Sequence, residues 1–147
     1  MSSQAIRLIH PYEGKTIDLV TSLVTFKVIV DDNSGEASII EMTPEPQDRA
    51  PLHRHAAETF YVLEGEFEFF GADPDAAFRA TAGDYVHIPA GVPHGWVNIG
   101  TTTGRLQIVT VSNWFQSFLE EIATLESPAD AEAIGQIGQK HGIEILE

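Results

Sequence analysis

Between residues 22 and 112 apolar and polar positions alternate in short runs broken by glycine, proline, asparagine and aspartate, and no helical period is sustained. The runs 23–30, 37–42, 52–55, 59–63, 66–70, 77–80, 85–88, 95–99 and 106–111 have the length and composition of strands. So many short strands without intervening helices predict an all-β sandwich or barrel. Segments 31–35, 43–48, 71–75 and 89–93 supply turn residues, and Gly65 in Leu63-Glu64-Gly65-Glu66 offers the positive φ of a tight hairpin.

After Ser112 the period changes. Trp114, Phe118, Ile122 and Leu125, joined by Phe115 and Leu119, recur at helical spacing and predict a helix over 114–125 that lays this stripe on the β body. Ser127-Pro128, with Asp130 three residues after the serine, predicts the start of a second short helix, weakened by Gly135 and Gly138. His141-Gly142 reads as its stop, and 143–146 as an edge strand or docking tail. A length of 147 residues, 43% of them hydrophobic, fits one domain: a β core over about 20–112 and a helical tail over about 113–147.

Charge narrows the partners. With 22 acidic against 8 basic residues the formal charge is −14, which repels nucleic acid and anionic lipid surfaces. The lack of cysteine excludes disulfides, zinc–thiolate sites, iron–sulfur clusters and thiol nucleophiles. The first residues contain no apolar signal core, and no run approaches the roughly 18 apolar residues of a membrane span. A soluble, cytoplasmic protein is the expectation.

Candidate chemistry lies in the histidines. Of six, four (His53, His55, His87 and His94) fall within 42 residues of the β region. His53 and His55, two apart on a strand, project from one face while Arg54 projects from the other. Glu58 can add a carboxylate oxygen, and the rigid turn Pro89-Ala90-Gly91-Val92-Pro93 can deliver His94 from a distant point in the chain. Such a pair of histidines alone is more often a surface or internally satisfied pair, so the surrounding sequence has to decide. Nitrogen and oxygen donors without thiolate suit zinc, iron, manganese, nickel or cobalt.

The stretch His53-Arg54-His55-Ala56-Ala57-Glu58-Thr59-Phe60-Tyr61-Val62-Leu63-Glu64-Gly65 resembles the first motif of the cupin superfamily. Gly83, Pro89, Gly91, His94 and Asn98 meet all fixed positions of the second, G(X)5PXG(X)2H(X)3N, after a short spacer over 66–82. The resemblance is strong over about 49–98. Two positions depart from it: Gln47 stands where the first motif has glycine, and Glu58 follows His55 after two residues instead of three or four.

The resemblance implies a double-stranded β-helix, the cupin jelly-roll barrel, with one divalent transition metal ion at one mouth held by His53, His55, His94 and Glu58. Because Glu58 keeps the family's spacing to Gly65, the missing residue belongs to the turn. A three-histidine site completed by water is the alternative. If Glu58 and His94 point inward, parity puts Phe60, Val62 and Trp96 on the same side, making an apolar, aromatic pocket for a small ligand; ordinary core packing is the alternative for Phe60 and Val62, and Trp96 is the better pocket candidate. His87 is expected to support the structure or the ligands, and His10 and His141 to lie on the surface.

Within the superfamily the chain resembles the small single-domain quercetinase-like cupins. It implies a metal-dependent dioxygenase for an enolic or aromatic substrate, with Glu58 as proton acceptor. A non-catalytic small-molecule-binding module is the alternative. An isomerase or epimerase would need a further acid/base residue that the sequence does not offer. The resemblance also implies a homodimer, with segment 6–19 free to exchange or to cover a sheet edge.

Overall fold

The computed structural model describes residues 5–31, 34–126 and 130–147. Its strands are β1 (Lys15–Asp18), β2 (Ser22–Val28), β3 (Ala37–Pro44), β4 (Arg49–Arg54), β5 (Glu58–Glu64), β6 (Glu66–Phe70), β7 (Phe78–Thr81), β8 (Tyr85–Ile88), β9 (His94–Asn98), β10 (Arg105–Val111) and β11 (Glu144–Ile145). Two helices, α1 (Trp114–Ile122) and α2 (Ala131–Lys140), follow β10. No helix among the described residues is long and apolar enough to cross a membrane.

All pairing is antiparallel, in a six-stranded sheet of order β1-β2-β3-β10-β5-β8 and a five-stranded sheet of order β11-β4-β9-β6-β7. The period-two alternation decides which side chains meet between the sheets. On β3, Ser38, Ile40 and Met42 are buried while Ile39, Glu41 and Thr43 are half-exposed. On β5 the inward set is Glu58, Phe60 and Val62, and on β10 it is Leu106, Ile108 and Thr110. Val24, Phe26, Phe67, Phe69 and Trp96 complete one apolar interior, each such side chain contributing about 1.5–3 kcal/mol on burial.

Each of the predicted β runs forms a strand, and Gly65 takes φ 98° in the β5–β6 hairpin. Of segment 6–19, only the polar end, β1, pairs, at the edge of the larger sheet beside β2. Ile6, Leu8 and Tyr12 stand almost fully exposed ahead of it.

Helix α1 ends at Ile122, earlier than the predicted Leu125, because Thr124 and Leu125 turn through i→i+3 bonds to Glu121 and Ile122. Its stripe does face the barrel: Phe118 and Leu119 are buried, with Trp114, Phe115 and Ile122 packed against the core. Ser127 and Pro128 lie outside the described residues. In α2 Asp130 is itself the N-cap, its carboxylate accepting from the Ala133 N–H at 3.1 Å. Gly138 proves to be a packing position: a Cβ there would lie 3.1 Å from the Ile143 carbonyl oxygen, where the tail folds back. The tail then pairs with β4 and is clipped by Arg54–Glu144 and Arg49–Glu147 ion pairs at 2.8 and 2.9 Å. β11 thereby forms the edge of the five-stranded sheet, with α2 packed against it and against α1.

Candidate metal centre

His53 sits on β4, His55 just beyond its end, Glu58 opens β5 and His94 opens β9. Pairing of β4 with β9 sets His53 directly opposite His94. The second motif's turn is tied to the first, since the Gly91 N–H donates to the His55 carbonyl at 2.8 Å. The potential ligand atoms of His53, His55, Glu58 and His94 lie within 4.8 Å of one another, and these four residues could hold a metal ion. The imidazole centroids are only 4.3–4.9 Å apart. The two-residue turn Ala56-Ala57 therefore leaves Glu58 in reach: its Oε1 lies 3.3 Å from His55 Nε2 and 3.1 Å from His94 Nε2.

Each ring is oriented through its other nitrogen. The Nδ1 atoms of His53, His55 and His94 lie 2.5, 2.6 and 2.8 Å from the carbonyls of Pro51, Ala56 and Val92. Carbonyls only accept, so each Nδ1 carries a proton and each Nε2 is the atom turned to the centre, where a metal ion would take the place of any proton held against Glu58. Glu58 Oε2 is buried without a hydrogen-bond partner. Leaving a carboxylate oxygen so placed is costly unless a cation meets it. Three outward-tethered imidazoles and one orphaned carboxylate oxygen fit a divalent transition ion.

The titration behaviour has the same origin. Burial, and then the neighbouring His94, push His53 down to about 4. Burial would lower His55 too, but the hydrogen bond and charge of Glu58 outweigh it and raise its pKa. For Glu58 burial would raise the pKa, and hydrogen bonds from His55 and His94 hold it below the usual value instead. A metal ion needs the Nε2 lone pair that a proton would occupy. His53 keeps its lone pair free down to about 4, whereas His55 holds a proton above the ordinary imidazole value of about 6.5. Apparent zinc affinity is accordingly expected to rise about tenfold per pH unit through 6.5 and to level off only above the raised pKa of His55. Chelator competition between pH 5.5 and 8.5 checks this, and an affinity flat across that range contradicts histidine ligation.

The centre opens into a cavity of about 400 Å3 whose lining includes His53, His55 and Glu58. Phe60 and Trp96 are on its wall. Val62 shares their inward parity but is fully buried in the core beyond the lining, since each further step along β5 leads away from the mouth. Met42 on β3 and Ile108 on β10, in the same sheet as Phe60, and Phe115 and Phe118 from α1 form the other walls. Trp114 lies against His55, with centroids 4.7 Å apart. These contributions were not read from the sequence. The aromatic stripe of α1 was the available signal, and only the chain path shows that it covers the site.

The other histidines are elsewhere. His87 does not support the ligands: it points to the outer face of β8, opposite to Val86 and Ile88, and its Nδ1 is 2.9 Å from the Thr59 hydroxyl. His10 is exposed, as expected. His141 is not a free surface residue. It is half-buried, its Nε2 3.0 Å from Glu121 Oε1 and its ring against Phe118, and together with the Lys140–Glu121 ion pair it joins the end of α2 to α1.

The second-motif asparagine closes the barrel's other end. Asn98 is fully buried, donates to the carbonyls of Pro44 and Thr102 at 3.0 and 3.2 Å, and accepts from the Gly100 N–H at 2.9 Å. Gln47, at the glycine position of the first motif, adopts φ 72°, the left-handed conformation that glycine takes most readily.

The family model described as Cupin domain matches residues 40–111, the stretch that holds both histidine motifs. The chain belongs to the cupin superfamily. No curated protein sequence matches it. Among solved structures it is similar to the polyketide cyclase RemF from Streptomyces resistomycificus, with 20% identity, a TM-score of 0.62, and 76% of this chain and 94% of that one covered. An RmlC-like cupin from Shewanella frigidimarina follows at 20% identity and TM-score 0.60, covering 74% and 92%. KdgF from Halomonas sp. is similar at 16% identity and TM-score 0.59, covering 70% and 93%. At these identities the likeness concerns the fold.

Proposed function

We propose that this cupin is a metal-dependent dioxygenase acting on a small enolic or aromatic substrate, as its resemblance to quercetinase-like cupins implies. The observation that carries the reading is the opening of the His53–His55–Glu58–His94 cluster, with Glu58 Oε2 unpartnered, into a cavity with aromatic walls. A volume of about 400 Å3 falls within the range, on the order of 300–1,000 Å3, of cavities that enclose a small organic ligand. Held by those four residues, a divalent iron, manganese, nickel or cobalt ion would supply Lewis acidity toward an enolic oxygen and the redox chemistry that dioxygen requires.

The chain's own part is to bind, orient and deprotonate. Phe60, Trp96, Phe115 and Phe118 hold a flat apolar body and exclude water. Glu58, kept ionised by its depressed pKa, is the group that accepts the enolic proton. Oxygen uptake by metal-loaded protein, with a flavonol as probe, tests the reading. Flavonol-dependent consumption that disappears on metal removal is expected. Tight flavonol binding without consumption would instead identify a binding module. The reading includes a homodimer, supported by the exposure of Ile6, Leu8 and Tyr12 next to edge strand β1.

A further inference from the structure

A large part of the cavity wall comes from outside the matched cupin stretch. That match ends at residue 111, and beyond it α1, α2 and the tail contribute eight lining residues, all of them apolar. The same segment carries Glu120, Glu121, Glu132, Lys140 and Glu144, and none of these charged side chains lines the cavity. The wall changes character along α1: Phe115 and Phe118, near the Trp114–His55 contact, are aromatic, and Leu119 and Ile122 are aliphatic. Ile134 of α2 and Ile143 and Ile145 of the tail add to the aliphatic part. Of these, Ile122, Ile134 and Ile145 are only half-buried, and α2 fully buries no apolar side chain, Gly138 being its one buried residue. A helical stripe that met only protein would be covered by it, whereas this one borders the cavity. The polar lining residues outside the metal cluster are engaged or covered: Thr21 with Asp48 and Arg49 with Glu147, both at 2.9 Å, while the Ser22 hydroxyl is buried.

We infer that the helical tail builds a subsite for an alkyl chain, so that the substrate class is a molecule with a metal-binding head and a hydrocarbon tail. The inference rests on the cavity being the substrate site. A wall without donor or acceptor side chains offers a polar substituent nothing in exchange for its hydration, whereas each methylene gains by leaving water. Flat faces on which a ring can stack lie on Phe60, Trp96, Phe115 and Phe118, and the aliphatic part has none. From Phe115 to Ile122 the helix advances about 10 Å, at about 1.5 Å per residue. At roughly 1.25 Å per carbon, the projection of a tetrahedral bond of about 1.5 Å, a chain of about eight carbons spans that distance.

Alkyl hydroxamates test this, since their neutral head chelates a transition ion whatever the tail. Acetohydroxamate and its butanoyl, hexanoyl, octanoyl and dodecanoyl homologues are titrated into cobalt-loaded protein, the cobalt absorption bands reporting the head and the dissociation constants reporting the tail. Affinity for wild type is expected to rise about two- to fourfold per methylene up to the octanoyl chain and to level off beyond it. Ile122→Trp and Ile134→Trp, which fill the subsite from either helix, should bind acetohydroxamate with the wild-type bands and lose most of the gain of the octanoyl chain. Affinity independent of chain length, a rise as steep to the dodecanoyl chain as before it, or a gain that both variants keep overturns the alkyl subsite and leaves the metal centre and its cavity standing. The wild-type series decides by itself if a variant does not fold. If no hydroxamate alters the cobalt bands of wild type, the centre does not open to the cavity, and the reading on which this inference rests fails with it.

Discussion

Replacement of His94 by alanine is expected to lower metal affinity by at least about a hundredfold. His53, His55 and Glu58 come from one stretch of chain and reach the centre on β4 and β5, whereas His94 arrives on β9 and meets them across the β4–β9 pairing. It also supplies one of the two imidazoles against Glu58 Oε1, at 3.1 Å. Without it, two imidazoles and a carboxylate remain, and part of the ion's surroundings is left to solvent. Elemental analysis of wild type and variant after identical loading checks this. Stoichiometric metal in His94→Ala, with wild-type circular dichroism, would contradict the proposed ligand set.

Glu58→Gln is expected to separate binding from chemistry. Glutamine keeps a carbonyl oxygen of similar reach but cannot accept a proton, so His53, His55 and His94 should retain most of the metal while flavonol turnover falls by roughly a hundredfold or more. The amide also loses the negative charge that raises the pKa of His55. Proton competition for the His55 lone pair should thus weaken, and the pH at which metal is half released should move downward. Steady-state oxygen uptake and pH-dependent metal release measure the two effects on the same preparations. An unchanged rate would remove Glu58 from the chemistry and leave the proton-accepting role without a residue.

Much of this was legible locally. Alternation along β3, β5 and β10 identified strands because each has one face in the interior and one toward solvent. The same parity put Glu58, Phe60 and Val62 on one face. It could not say how far along β5 the cavity extends, which is why Val62 belongs to the core and Phe60 to the wall. His53 and His55 were legible because two residues on one strand share a direction, and His94 because its turn has a rigid spacing. β1 was not, since Lys15-Thr16-Ile17-Asp18 is short and polar and becomes a strand through its pairing with β2. Trp114 and His141 acquire their surroundings from segments tens of residues away, and no local period records those contacts.

X-ray absorption at the metal edge of cobalt-loaded wild type, at about one ion per chain, puts the ligand set to the most direct test. The account predicts a first shell of nitrogen and oxygen with no sulfur, the outer-shell scattering pattern of three imidazoles, and loss of one imidazole in His94→Ala. A site with fewer than three imidazoles in wild type, or one whose spectrum is unchanged by His94→Ala, would contradict the assignment of His53, His55, Glu58 and His94 as the centre.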